Sequence, residues 1–371
     1  MNTSGRATSE GTRRYAERFS SQTAPGHFRR GQNLWMSTIG LGTYLGHWDE
    51  ATDRLYQDSV RRAVEVGCNV LDSAINYRFQ RSERAIGAAL GQMFDAGAAT
   101  RDEIIVATKG GYFPFDGEQP RDPRVWIMEN IINTGAARAE DFVDSHCMSP
   151  SYLDNQLSRS LQNLGLDCID IYYIHNPETQ LDGVSREEFL RRMRAAFEFL
   201  EGAASEGRIQ FYGTATWNGY RASPESRAYL SVAELAAIAG EIAGEGHHFR
   251  AIQLPYNLAM PEALVSDNQT VEGERVSPLV AADRLGITVM CSATMLQSRL
   301  AHDLPDFVRD SLRGLATDAQ RAIQFVRSTP GVTTALVGMS QRSHVEENLM
   351  TARIPPAPVA DFLKMFSQDG E

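Results

Sequence analysis

The feature that most constrains this chain is an alternation, repeated eight times, of short β-branched apolar runs with longer helical patterns. The runs are Thr38 to Leu41, Asn69 to Asp72, Ile104 to Thr108, Ile169 to Ile174, Gln210 to Gly213, Ala251 to Leu254, Thr288 to Cys291 and Thr334 to Val337. All are short and mostly apolar, as strands are when helices cover the sheet on one side and a core on the other. Between them, stretches such as Asp53 to Val66, Ser151 to Leu164, Arg186 to Glu206 and Asp318 to Ser328 repeat apolar residues at i, i+3 and i+4. Gly67, Gly165 and Gly286 follow helical patterns at the point where a left-handed C-cap is easiest for glycine. Eight βα units predict an α/β fold, an eight-stranded parallel (β/α)8 TIM barrel. Phe28 to Met36, with Arg30-Gly31-Gln32-Asn33 at its centre, predicts an N-terminal hairpin over the barrel floor. Long loops are expected at the C-terminal face, from Gly110 to Pro150 and from Pro255 to Ser277.

A length of 371 residues suits one barrel domain, expected over 26–371, and the Ser, Thr, Gly and Arg of residues 1–25 predict a flexible N-terminal arm. A net charge of -11 argues against a protein that neutralises nucleic-acid phosphates. The four cysteines are scattered, with no zinc-type spacing, so neither a metal nor a disulfide framework is expected. No apolar run is long enough to span a bilayer, and the polar start lacks the apolar core of a secretion signal; a cytoplasmic protein with no membrane and no nucleic-acid partner is the expectation.

The informative polar residues emerge at the ends of consecutive strands: Asp72 and Tyr77 after the second, Lys109 after the third, His175 after the fourth. Taken singly, a strand-end Asp is usually a helix cap, a Lys there is usually solvated, and a His before Asn-Pro usually bonds a turn. Together at one rim they suit reduction of a carbonyl. Hydride arriving at carbon leaves alkoxide charge on oxygen, which needs a hydrogen bond and then a proton. A phenol supplies both, an adjacent ammonium would lower its pKa, and a carboxylate would anchor that ammonium. Tyr77, Lys109 and Asp72 are assigned these roles, with His175 donating from the other side.

An ordered series of motifs from Phe28 to Ala352 resembles the aldo-keto reductase family. It comprises Ile39-Gly40-Leu41-Gly42-Thr43-Tyr44, Asp72 to Tyr77 with Ser82-Glu83, Ala107-Thr108-Lys109, Ser158-Arg159-Ser160-Leu161 leading to His175, Gly207-Arg208-Ile209, Gln253 with Tyr256-Asn257, Thr329-Pro330-Gly331-Val332, and Val337 to Ser340 with Glu347-Asn348. The resemblance implies Asp72, Tyr77, Lys109 and His175 as the catalytic tetrad. It implies NADPH as cofactor, with NADH the alternative, held near Gly42, Thr43, Tyr44 and Asp72, at Gln253 and Ser292, and by Gly338, Ser340, Glu347 and Asn348. Arg299, Arg342 and His344 are the basic candidates for its phosphates. Two sites depart from the family pattern: the Ser-Asn that usually meets the nicotinamide amide reads Ala215-Thr216, with Asn218 nearby, and the aromatic residue usually beneath the ring reads Cys291. A small-molecule aldehyde or ketone is the expected partner, in a pocket assigned to Tyr44, Trp48, Phe113, Trp126, His175, Asn176, Trp217 and Met295. A dinucleotide-binding regulatory or sensor barrel acting through a protein partner is the alternative, since fold alone does not separate the two. A third reading, phosphate-sugar isomerisation or metal-assisted hydrolysis, has no metal cluster in the sequence to support it.

Overall fold

In the computed structural model, which describes residues 4–367, eight parallel strands close a barrel: β3 (Ile39–Gly42), β4 (Val70–Asp72), β5 (Ile105–Gly110), β6 (Ile169–His175), β7 (Ile209–Ala215), β8 (Phe249–Pro255), β11 (Thr288–Ser292) and β12 (Thr334–Gly338). They hydrogen-bond in chain order, and β12 returns to β3. The helices of the layer around them are α2 (Glu50–Glu65), α3 (Arg81–Asp95), α5 (Pro150–Leu164), α6 (Arg186–Ser205), α7 (Val232–Ala243), α9 (Pro278–Arg284), α11 (Asp318–Ser328) and α12 (Arg342–Leu349). The shorter helices α4 (Pro123–Ile127), α8 (Glu262–Val265), α10 (Asp306–Ser311) and α13 (Val359–Ser367) sit in connections or at the end of the described chain. The hairpin β1 (Phe28–Gly31) and β2 (Leu34–Ser37) turns through Gln32 and Asn33, both at positive φ (51° and 64°), the left-handed pair a two-residue hairpin turn needs. Among the described residues no helix is long and apolar enough to cross a membrane.

Strand period decides what reaches the site. Successive side chains alternate between the barrel interior and the helix layer. Val70, Ile105, Ala107, Ile171, Tyr173, Ala251, Met290 and Leu336 pack together inside, with Leu34 and Met36 of the hairpin closing the floor. One period further toward the carboxyl ends come Asp72, Lys109, His175, Gln253, Ser292 and Gly338. Five of these six are polar, so most of the interior rows end in polar residues at one face. Gly213 has its own reason: the β7–β8 register shifts between Tyr212 and Gly213, and a Cβ there would lie 1.7 Å from the Ala251 carbonyl oxygen.

The N-terminal segment corrects the expectation of a flexible arm over 1–25. Met1 to Thr3 lie outside the described residues, but Ser9–Arg18 forms α1, capped by Thr8, and it docks. The Ala7 N–H donates to Asp170 Oδ1 (2.7 Å), and the other oxygen of Asp170 pairs with Arg101 (2.8 Å). Tyr15 is fully buried against Phe19 and Phe28, and its hydroxyl donates to the Val64 carbonyl (2.5 Å). The polar composition that suggested mobility belongs to the outer face of this helix, where Arg13 pairs with Glu10 and Glu17. Tyr15→Phe is expected to lower unfolding free energy by about 1–2 kcal/mol in urea titrations, because the ring stays and one buried carbonyl loses its donor.

The long loop after β5 is also built rather than loose. Phe113, Trp126, Ile127, Ile132 and Phe142 pack on Ile131, Ala136, Ala137, Cys147 and Tyr152 in a small core of their own. The stretch after β8 folds into α8 and the hairpin β9 (Gln269–Val271) and β10 (Glu274–Val276).

Candidate active site

At the carboxyl ends of the strands lies a cavity of about 620 Å³, within the range of cofactor and substrate pockets. Its floor is an ion pair. Lys109 is wholly buried and its Nζ donates to Asp72 Oδ2 (2.7 Å), Asp72 Oδ1 (3.0 Å) and the Ser73 carbonyl (2.7 Å). Gln253 Nε2 donates to Asp72 Oδ1 (2.8 Å), which fixes the orientation of its amide. Burial pulls Lys109 below its ordinary pKa, and the charge and hydrogen bonds of Asp72 oppose that pull.

Tyr77 stands over this pair, its ring 4.9 Å from Lys109 Nζ, 5.0 Å from Tyr44 and 5.8 Å from the His175 ring, centroid to centroid. Here the structure corrects the expected electrostatics. The ammonium faces the ring and spends its hydrogen bonds on Asp72 and Ser73, so burial dominates and, with the Asp72 charge, pushes the phenol well above its ordinary pKa. Burial, then Lys109 and His146, pulls His175 well below its ordinary value. A neutral phenol and a neutral imidazole therefore face the cavity at neutral pH.

His175 is held by a chain of defined hydrogen bonds. Arg192 Nη1, which can only donate, meets Gln180 Oε1 (2.6 Å), so Gln180 Nε2 is the donor to His146 Nδ1 (3.0 Å). That leaves the proton of His146 on Nε2, which donates to the His175 carbonyl (2.7 Å). Burial lowers His146 to about 4, consistent with this neutral tautomer. The long loop is thereby clipped to the end of β6, and its Tyr112 packs edge-on to His175 at 5.2 Å.

The cavity brings together Gly42, Thr43, Tyr44, Asp72, Tyr77, His175, Asn176, Thr216, Trp217, Gln253, Ser292, Met295, Arg299 and Gly338 of the expected residues. Other assignments fall elsewhere. Phe113 and Trp126 belong to the loop's own core, and Trp48 packs on Phe79 at 5.2 Å, half exposed and away from the cavity. Cys291 is fully buried in the helix-side layer, since the strand period gives the interior position to Ser292; it does not lie under a ring in the cavity. Asn218 is also outside the lining, its N–H held by Glu178 (2.9 Å). Ser340, Arg342, His344, Glu347 and Asn348 lie beyond the lining at the start of α12 and along it; Arg342 pairs with Glu346 (3.1 Å), His344 and Glu347 are exposed, and Asn348 is buried.

Sequence reading missed Leu45, Asn76, Tyr112, Leu336 and, on either side of the expected Met295, Ala293, Thr294, Leu296, Gln297 and Ser298 as lining residues. Asn76 precedes Tyr77 and Tyr112 lies two residues past the end of β5, so both could have been found by proximity. Ala293, Leu296, Gln297 and Ser298 all hold positive φ, which no residue type there announces.

The site also has unmet polar capacity. Thr216 Oγ1 and His175 Nδ1 are buried at the lining without a partner among the described residues, and Arg299 is the one Lys or Arg side chain there. Buried polar atoms of this kind are rare in a finished interior. They fit a ligand carrying an amide and an anionic group. Among the described residues no group of His, Cys, Asp and Glu could hold a metal ion.

Comparison with known proteins agrees with the geometry. The model of the Aldo/keto reductase family matches residues 38–362. An NADH-specific methylglyoxal reductase of Escherichia coli is 27% identical over 56% of this chain and 55% of its own, so the chain spans about half the length of that relative. A protein of Schizosaccharomyces pombe named for the beta subunit of a voltage-gated potassium channel is 22% identical over 94% of both chains. A solved aldo/keto reductase from Klebsiella pneumoniae in complex with NADP and acetate superposes with a TM-score of 0.61 at 19% identity, covering 92% of this chain and 96% of that one, and shows the same fold.

Proposed function

The chain belongs to the aldo/keto reductase family, and on that premise we propose that it reduces an aldehyde or ketone to an alcohol with NADPH, Tyr77 supplying the proton. What supports this most is a single arrangement: the buried Lys109–Asp72 pair lies under Tyr77, with His175 beside it, at the floor of one cavity. A reduced nicotinamide, when bound, supplies hydride to the carbonyl carbon. The chain's own residues do the rest. Tyr77 donates its proton to the carbonyl oxygen, and His175, neutral, offers that oxygen a second hydrogen bond. The phenolate left behind lies next to the Lys109 ammonium, which Asp72 holds in place. A raised phenol pKa is compatible with this direction, because an alkoxide is a far stronger base than any phenolate.

Gln253, its amide fixed by Asp72, and the free hydroxyl of Thr216 would hold the carboxamide of the cofactor; Ser292, Gly338 and Arg299 would meet its phosphates. Thr216 thus takes the part that the family pattern gives to its Asn. Arg342 and His344, exposed on α12, are proposed to favour the additional phosphate of NADPH over NADH. Tyr44, Tyr112, Asn176, Trp217 and Met295 form the wall assigned to the substrate.

A second reading, a nucleotide-binding barrel acting through a protein partner, draws on the full-length match to the channel-subunit relative. One experiment separates the two: titration with NADPH and NADH, then cofactor oxidation against a panel of aldehydes and ketones. Micromolar binding, NADPH tighter than NADH, with turnover is the expected result. Tight binding with no turnover across the panel would favour the partner reading, and no binding of either nucleotide would end both.

A further inference from the structure

The ends of β6 and β7 are joined by one buried carboxylate. Glu178 lies in the 3₁₀ segment Pro177–Asp182 that leaves β6, and its Oε1 accepts from three successive backbone N–H groups: Trp217 (2.8 Å), Asn218 (2.9 Å) and Gly219 (3.2 Å). Beside it the Asn176 N–H donates to the Ala215 carbonyl (2.5 Å). Glu178 is 7% exposed, and its Oε2 has no partner among the described residues. A carboxylate buried with one oxygen unmet is a poor device for stability alone, since a desolvated charge is costly and a neutral acceptor could take the same bonds.

What it holds is a turn that forms part of the site. The Thr216 N–H still donates to the Gln253 carbonyl of β8 (2.8 Å), but residues 217–219 belong to no helix or strand, so their amides have no ladder to join. Thr216 and Trp217 of this turn line the cavity, and the Thr216 hydroxyl is one of its unmet groups. Charge-assisted bonds to three adjacent amides fix the peptide planes and therefore the directions of both side chains.

We propose that Glu178 is a positioning residue, which fixes the 216–219 turn as one wall of the cofactor site. This rests on the nucleotide-binding reading above. Loss of the carboxylate frees three amides, releases Trp217 and the peptide that follows Thr216 from their present orientation, and weakens binding. The proton-transfer groups stay in place, because Asp72, Tyr77 and Lys109 are carried by β4, the loop after it and β5, and His175 is held at its carbonyl by His146.

The test uses the full chain with two substitutions and two readouts. In Glu178→Ala, hydrogen exchange of the Trp217 to Gly219 amides, measured without nucleotide, is expected to speed up by about tenfold or more while the barrel strands are unchanged. The Kd for NADPH is expected to rise by about tenfold, with kcat within about threefold of the parent. Glu178→Gln keeps the shape and an acceptor; it is expected to fall between the parent and Glu178→Ala in both readouts, and it carries the test if the Ala variant does not fold. Unchanged exchange in these variants, or a fall in kcat with Kd unmoved, overturns the proposal. Failure of the parent protein to bind NADPH would instead overturn the nucleotide reading, while the exchange data would still report whether Glu178 anchors the turn.

Discussion

Tyr77→Phe is expected to lower kcat for a good carbonyl substrate by about 10²–10⁴-fold, the usual range for loss of a positioned proton donor, and to leave nucleotide affinity nearly unchanged. The substitution isolates one atom. The ring of Tyr77 packs against Tyr44 and His175 and faces the Lys109 ammonium, and a phenylalanine ring fills the same space. Tyr77 lines the cavity, so removing its hydroxyl opens no void in the packed interior, and stability should move by less than about 1 kcal/mol. A fall in kcat without a fall in stability or affinity would locate the loss in the chemical step. Turnover within a few-fold of the parent would mean that the proton comes from elsewhere, with His175 the next donor to test. The neutral state of both groups matters here, because a phenol pushed upward by burial and an imidazole pushed downward both keep one form across neutral pH.

Much of this site could be read from residues alone because the rules that place it are local. The eight strand runs carry period-2 information, and that period by itself sends Asp72, Lys109, His175 and Gln253 inward once the barrel closes. The same rule, applied at β11, turns Cys291 toward the helices and leaves the interior position to Ser292, which the resemblance already assigns to the cofactor; analogy to an aromatic position adds Cys291 beside it. What could not be read is set by contacts remote in sequence. Phe113 and Trp126 look like pocket walls because they are aromatic and lie in a loop over the strands, yet they are consumed by the loop's own small core. That His146, more than thirty residues past Tyr112, clips the returning loop to the His175 carbonyl is likewise set by a contact remote in sequence. The N-terminal helix was hidden for a related reason: Ala7 and Tyr15 are anchored by Asp170 and by the Val64 carbonyl, partners that a composition of Ser, Thr and Arg does not reveal.

The burial that makes the ion pair useful also makes its disruption costly to stability. Lys109→Met leaves Asp72 buried, with Gln253 its remaining side-chain donor, and is expected to destabilise the protein by about 3–5 kcal/mol in urea titrations, the cost of breaking a buried pair from one side. Turnover should fall at least as far as in Tyr77→Phe, because the phenolate formed in proton transfer then has no cation beside it. By itself that result would not separate catalysis from folding. The double substitution Lys109→Met with Asp72→Leu does so: it removes both charges, and a buried pair exchanged for apolar groups of similar volume is often neutral or better for stability. Most of the lost stability is expected to return in the double variant, while turnover stays at the level of the single one. If activity returned together with stability, the pair would be a structural brace and the assignment of Lys109 and Asp72 to the reaction would be wrong. If neither returned, the Met and Leu side chains would not be filling the barrel, and Asp72→Asn, which keeps the shape of the carboxylate and removes its charge, would decide: it should lose turnover with a smaller loss of stability, because Lys109 retains the Ser73 carbonyl as an acceptor.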